Sequence, residues 1–305
     1  MLKKIQAQII EKKHQLIVLF DQGMVSGVNF LVAILITRFL GLEEFGVFAT
    51  AWMLVLFFSS IQQAIVIAPI YTLSAQQKDI FSFLGQALNL QLLFSVIASI
   101  LSLITISIVF HFNNEWYREG VLFSLPITIA LFLLQDFFRR KFFVENSGST
   151  VFLSDLITYA LQPIIIITLF YLNLLSINSF LTSISFCMLL VSLIHFLRME
   201  KQKLNQHTIL VFNQFWQFSK HLFFTSILQW FSGNYFIVFA TGVLGPLAIG
   251  IIRIAQNLMG VLHILFLTLE NLIPIEASKI LKRKGKIPTL HFFKQMTIKT
   301  GAITG

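Results

Sequence analysis

One cysteine occurs in 305 residues. Cys187 lies in the apolar run SISFCMLLVS, so a single chain can form neither an internal disulfide nor a cysteine metal site. A packed thiol acting as a small hydrophobe is the expected state. Charge is also scarce: Asp, Glu, Lys and Arg make up 11% of the residues and hydrophobic types 56%, against roughly 25% and 45–50% in an average soluble domain. A solvated surface cannot be built from that supply. There is no glycine-rich phosphate loop ending in Lys-Ser or Lys-Thr, no nucleophile-elbow pattern, and no His-x-x-x-His or carboxylate cluster for a metal. The expectation is therefore a protein that is not an enzyme, with neither metal nor cofactor. A net charge of +9 would suit nucleic acid only if the basic residues clustered on a solvated domain, which this composition excludes.

What is present is long apolar sequence. Phe45 to Gln77, Ile80 to Asn114, Leu156 to Leu197 and His221 to Ile252 carry no Asp, Glu, Lys or Arg. Each exceeds the ~20 residues a helix needs to cross hydrocarbon. Continuous apolarity favours helices over the alternating strands of a barrel, because a helix satisfies its backbone hydrogen bonds internally. The fold class expected is an all-α polytopic membrane protein. Turn and charge positions predict spans near Gln15–Leu40, Phe45–Leu73, Phe81–Phe110, Gly120–Gln135, Leu156–Leu172, Ile177–Leu197, His221–Leu244 and Leu247–Pro274. A ninth begins near Leu290 and reaches Gly305 at about half the length a span requires, so about eight and a half spans are expected, in part of a longer protein.

With the N-terminus in the cytoplasm, 18 of the 22 basic residues fall inside, only Arg38 and Arg118 fall outside, and Arg253 and Lys299 lie within spans. That asymmetry follows the positive-inside rule. The N-terminal stretch lacks a cleavage site behind a short apolar core, so it reads as a retained cytoplasmic segment. Residues 1–14 form that segment, 15–200 a first lobe of six spans, 201–220 a cytoplasmic inter-lobe linker, and 221–305 the start of a second lobe.

The lobes are suggested by an internal repeat. Leu40-Gly41-Leu42-Glu43-Glu44-Phe45-Gly46 joins spans one and two, and Leu244-Gly245-Pro246-Leu247-Ala248-Ile249-Gly250 joins spans seven and eight. Asn29 upstream is matched by Asn234, and Ala-Pro-Ile at 68–70 by Ile-Pro-Ile at 273–275. An even number of spans separates the copies, so both enter the membrane in the same direction. The expectation is two parallel six-helix lobes, an arrangement found among secondary transporters.

The segment DQGMVSGVNFLVAILITRFLGLEEFGVFATA and its degenerate echo VFATGVLGPLAIGIIRIAQNL resemble the polysaccharide flippases of the multidrug/oligosaccharidyl-lipid/polysaccharide exporter superfamily. The resemblance is close over about 60 residues at each copy. It implies twelve or more helices in two lobes, alternating access, and a central cavity for an undecaprenyl-diphosphate-linked oligosaccharide. The setting implied is the bacterial inner membrane during O-antigen, capsule or exopolysaccharide synthesis. It also allows polysaccharide polymerase or assembly proteins as partners beside membrane lipid, and no nucleic acid. A multidrug exporter of the same superfamily and a non-transporting component of polysaccharide assembly are the alternatives. A membrane glycosyltransferase fits less well, because such enzymes need a large extracytoplasmic loop.

Ionisable groups inside spans are costly and are functional candidates by default. Arg253 lies about 12 Å past the Gly245 turn at 1.5 Å per residue. It heads a polar stripe at helical spacing with Gln256, Asn257, His263 and Glu270. Its planar guanidinium suits a diphosphate, and the resemblance implies the same role. Asn29 on span one and Asn234 on span seven offer amides to sugar hydroxyls, with helix packing as the alternative. Arg38 at the outer end of span one is a weaker substrate-binding candidate, and an interfacial position suits it better. Asp21 and Glu270 are candidates for coupling a proton or sodium gradient, with His263 assisting; Asp21 can equally pair with Lys13. Asp136 and Asp155 flank the basic stretch Arg139–Lys141 and are assigned to the cytoplasmic surface.

Overall fold

The computed structural model describes residues 23–77, 79–145, 147–198, 208–288 and 290–294; for 75, 148, 198, 208–210 and 261–284 that description is of the backbone. Helices follow one another throughout: α1 (Gly23–Leu40), α2 (Leu42–Leu73), α3 (Ile80–Phe112), α4 (Val121–Val144), α5 (Gly148–Tyr171) and α6 (Ile177–Arg198). A final path, Thr208–Lys284, is interrupted at Gly245 by non-helical angles, which divides it into α7 (208–244) and α8 (246–284). Among the described residues there is no strand. Seven helices are long and apolar enough to cross a membrane, the last of them, Val211–Gly260, running through the break at Gly245. The described residues have the all-helical fold of a multi-pass membrane protein. It divides into two compact units, Met1–Arg253 and Ile254–Gly305. The second holds the remainder of α8 and, after Gly285, short helical stretches at 286–288 and 290–294.

Helix α3 illustrates why these sequences form membrane helices. Asp79 caps it, its Oδ1 accepting from Ser82 N at 3.1 Å, which satisfies one of the donors a helix start leaves open. Along its length, Leu93, Ile97, Ile100, Ile104 and Ile108 are exposed, while Gln91, Ser95, Ala98 and Ser102 are buried. This inverts the pattern of a soluble helix. Lipid solvates the bulky apolar face, whereas small and polar side chains let neighbouring helices approach and find partners.

The interior of the first unit is accordingly laced with polar contacts. Gln62 on α2 is fully buried, and its Nε2 donates to Gln91 Oε1 on α3 at 2.9 Å and to Leu133 O on α4 at 2.7 Å. Around this knot, Val66, Ile67 and Ile70 pack with Phe83, Leu84, Phe137 and Phe138, joined by Val211 and Phe215 from the start of α7. Gln63–Ile67 is a π turn. Pro69 lies just beyond it and has no N–H to donate; its ring also crowds the carbonyl four residues back, so the helix widens there.

Gln62→Leu is expected to cost about 1–3 kcal/mol, because Gln91 is left with a buried unsatisfied acceptor. Adding Gln91→Leu should recover much of that loss, since replacing both partners removes the desolvation penalty. Thermal melts of the detergent-solubilised variants measure both.

The structure corrects the surface assignment of two carboxylates. Asp155 is 1% exposed and its Oδ2 lies 2.6 Å from Arg139 Nε. Asp136 is also buried, accepting from Gln63 Nε2 at 2.9 Å and from Arg140 Nε at 3.2 Å. Lys141 pairs with Glu145 at 2.7 Å. With its cations neutralised, α4 continues from Gln135, where charge predicted its end, to Val144.

Candidate functional site

The two copies of the hinge meet. Gly41 (φ 90°, ψ 172°) and Gly245 (φ 74°, ψ 174°) share a backbone conformation open almost only to glycine. Each turns the chain into the helix that follows. One turn later Gly46 and Gly250 bring those helices into direct backbone contact. A Cβ on Gly46 would overlap the carbonyl oxygen of Pro246 and fall 2.9 Å from Gly250 N. A Cβ on Gly250 would overlap the carbonyl oxygen of Leu42 and fall 3.2 Å from Gly46 N. Leu42 and Pro246 occupy the same position in the two copies, as do Gly46 and Gly250. The contact is therefore reciprocal: exchanging the copies reproduces it, as a local two-fold axis would.

The turn between α3 and α4 closes over this crossing. Trp116 is buried against Val47 of α2, Ala240 of α7 and Ile249 of α8. Arg118 donates from Nη2 to Glu43 at 2.8 Å and pairs through Nε with Glu44, tying the start of α2 to the same turn. The two glutamates also suit the positive end of the α2 dipole. Glu115 comes beside the second hinge, 2.8 Å from where a Cβ on Gly245 would lie.

Arg253 follows Gly250 by less than one turn. It is half-buried, and its Nη2 donates to Met53 Sδ at 2.9 Å; Met53 is not its only partner. A thioether is a weak acceptor. Beside it opens a crevice of about 420 Å³ between α2, α3, α4 and α7. Phe57, Phe58, Phe110, Trp116, Trp230 and Phe231 form much of its wall, and Met53 also lines it. Thr50 contributes a buried hydroxyl with no hydrogen-bond partner. The cation and the apolar, aromatic slot are thus linked through the Met53 side chain.

The other sequence candidates are distributed differently. Asn29 and Arg38 are exposed on α1. The protein-facing side of that helix is Val32, Ala33 and Ile36, and Asn29 lies one turn before Ala33, where no described part of the chain covers it. Asn234 is half-buried, and its Nδ2 donates to Trp230 O of its own helix at 2.9 Å. Gln256 is exposed and Asn257 half-buried, both in the second unit. Asp21 lies outside the described residues, and the His263 and Glu270 side chains fall in 261–284, outside the side-chain description.

Sequence reading missed a buried polar column linking α4, α5 and α6. In it Thr128 Oγ1 meets Ser185 Oγ at 2.8 Å, Gln135 Nε2 donates to Thr158 Oγ1 at 2.7 Å, and Ser154 Oγ meets His195 Nε2 at 2.6 Å. Each partner is an ordinary polar residue in an apolar run, and no local spacing marks pairs so far apart in the chain. Among known proteins, no family model, curated protein or solved structure matches this chain.

Proposed function

We propose that this protein is a bacterial inner-membrane transporter that flips a lipid-linked oligosaccharide, of the undecaprenyl-diphosphate type, from the cytoplasmic to the outer leaflet by alternating access. The observation that carries the reading is the reciprocal contact of the two hinge copies at Gly46 and Gly250. It favours a duplicated architecture of two parallel six-helix lobes, with Gly245 separating a seventh span from an eighth. In an alternating-access protein such a symmetric crossing serves as a gate, because two equivalent helix pairs can part about one axis. With the N-terminus cytoplasmic, the crossing lies at the outer end of the spans.

The choice of cargo rests on chemistry. The best-placed charge beside the crevice is positive, which favours an anionic headgroup over the cationic drugs of multidrug exporters. An aromatic crevice is nonetheless the observation that would favour a drug exporter, so the test separates the two. In a strain lacking its polysaccharide flippase, the full-length protein is expected to restore surface glycan and to leave cationic-drug resistance unchanged. Drug resistance without glycan display would select the alternative.

A further inference from the structure

We propose that the α3–α4 turn, residues 113–120, is a plug that moves with α2, and that the gate parts between Trp116 and the second hinge copy on α7 and α8; its part in transport rests on the reading above.

The turn is anchored among the first six helices. Arg118 donates through Nε to Glu44, through Nη2 to Glu43 at 2.8 Å, and through Nη1 to the carbonyls of Glu115 and Tyr117 at 2.8 Å each. One guanidinium thus holds the turn in shape and ties it to α2. Tyr117 stands edge-on to Phe110 of α3, with ring centroids 5.3 Å apart. Gly120 (φ 77°) leads into α4, and a Cβ there would overlap the side chain of Asn178 on α6. The second hinge copy gives Arg118 no such grip, because Leu247 and Ala248 stand where the first has Glu43 and Glu44.

Toward that second copy the turn presents different chemistry. Two ion pairs hold it to α2, whereas an apolar ring, Trp116, is what packs on Ala240 and Ile249. Such a contact has no direction and re-forms each time the surfaces meet. The crevice of about 420 Å³ follows the same plane, with α2, α3, α4 and the turn on one side and α7 on the other. Attraction across a void is already lost, so the walls part there at least cost.

The test places a cysteine under the plug. Ala240→Cys and, separately, Ala98→Cys are made in the full-length protein carrying Cys187→Ala, purified into lipid nanodiscs and reacted with a water-soluble maleimide. Both alanines are buried; Ala98, inside the first six helices, reports general unfolding. The rate of labelling tracks the population of the open form. Trp116→Ala should speed labelling at Ala240→Cys about tenfold and leave Ala98→Cys protected. Arg118→Ala should speed it in the same direction, because the plug loses its anchor. Unchanged labelling at Ala240→Cys in both variants overturns the proposal. If Trp116→Ala exposes Ala98→Cys as well, Trp116→Phe, which keeps a smaller ring, is read in its place. Faster labelling at Ala240→Cys alone then supports the plug, and no change, or labelling of both cysteines, overturns it. Glycan display in the flippase-deficient strain separates the two readings. Unchanged labelling in a protein that restores display sinks the plug and leaves transport standing. The expected labelling in a protein that never restores display sinks transport and leaves the seam standing.

Discussion

Gly46→Leu is expected to yield no folded protein, and Gly46→Ala to cost about 3 kcal/mol or more, at the upper end of overpacking penalties. The added carbon has no flexible neighbour to displace. It would overlap the carbonyl oxygen of Pro246 and crowd Gly250 N, both main-chain atoms of a packed helix, so α2 and α8 must separate. Gly250→Ala should cost a similar amount, because it meets Leu42 and Gly46 in the mirrored way. The double variant should cost well under the sum, since one separation relieves both clashes. Gly233→Ala is the control: its Cβ meets nothing within 4 Å, and alanine is the better helix former by roughly 0.5–1 kcal/mol. Melting of the solubilised variants measures all four; a wild-type melt for Gly46→Ala would show that the helices do not cross there.

Arg253→Ala is expected to reduce surface polysaccharide on the order of a hundredfold at normal protein level, corresponding to about 2–4 kcal/mol of lost charge-assisted hydrogen bonding. Arg253→Lys should recover only part of it, because a point-charge ammonium keeps the attraction but cannot donate the paired hydrogen bonds of a planar fork. Immunoblotting of the membrane fraction beside glycan staining separates loss of function from loss of protein. Wild-type glycan in the alanine variant would remove Arg253 from cargo binding, and an absent protein band would make it a structural residue.

Much of the architecture was legible because membrane insertion is written in long local runs. The charge-free stretches became α2, α3, α5, α6 and the Val211–Gly260 path, and the Leu-Gly hinges became turns with matching φ and ψ. Helix ends were less legible wherever charge served as the boundary marker. Helix α4 continues beyond Gln135 because Asp155, Asp136 and Glu145 neutralise its three basic residues. Helix α7 starts at 208, well before His221, where Val211 and Phe215 join the core. Neither extension could be inferred without knowing which distant side chains would arrive.

The candidate site divides in the same way. Arg253 stood out in the sequence as a lone cation inside an apolar span, and the structure sets it beside Met53 and the aromatic crevice. Asn29 was drawn into the same site by its match to Asn234 in the repeat. A repeat identifies equivalent positions, however, and not what covers them: Asn234 is half-buried while Asn29 is exposed.

The amino-acid sequence by itself determined that this chain crosses a membrane as helices, because backbone groups in hydrocarbon must bond within their own segment and the apolar runs are long enough to do so. It also determined where the backbone turns, since only glycine tolerates the angles at Gly41 and Gly245. Tertiary structure alone decided that the two hinges cross at Gly46 and Gly250, that Asp155 and Asp136 are interior ions, and that Arg253 bonds a methionine lining an apolar crevice. Those outcomes depend on contacts between residues far apart in the chain, and for such contacts local spacing carries no signal.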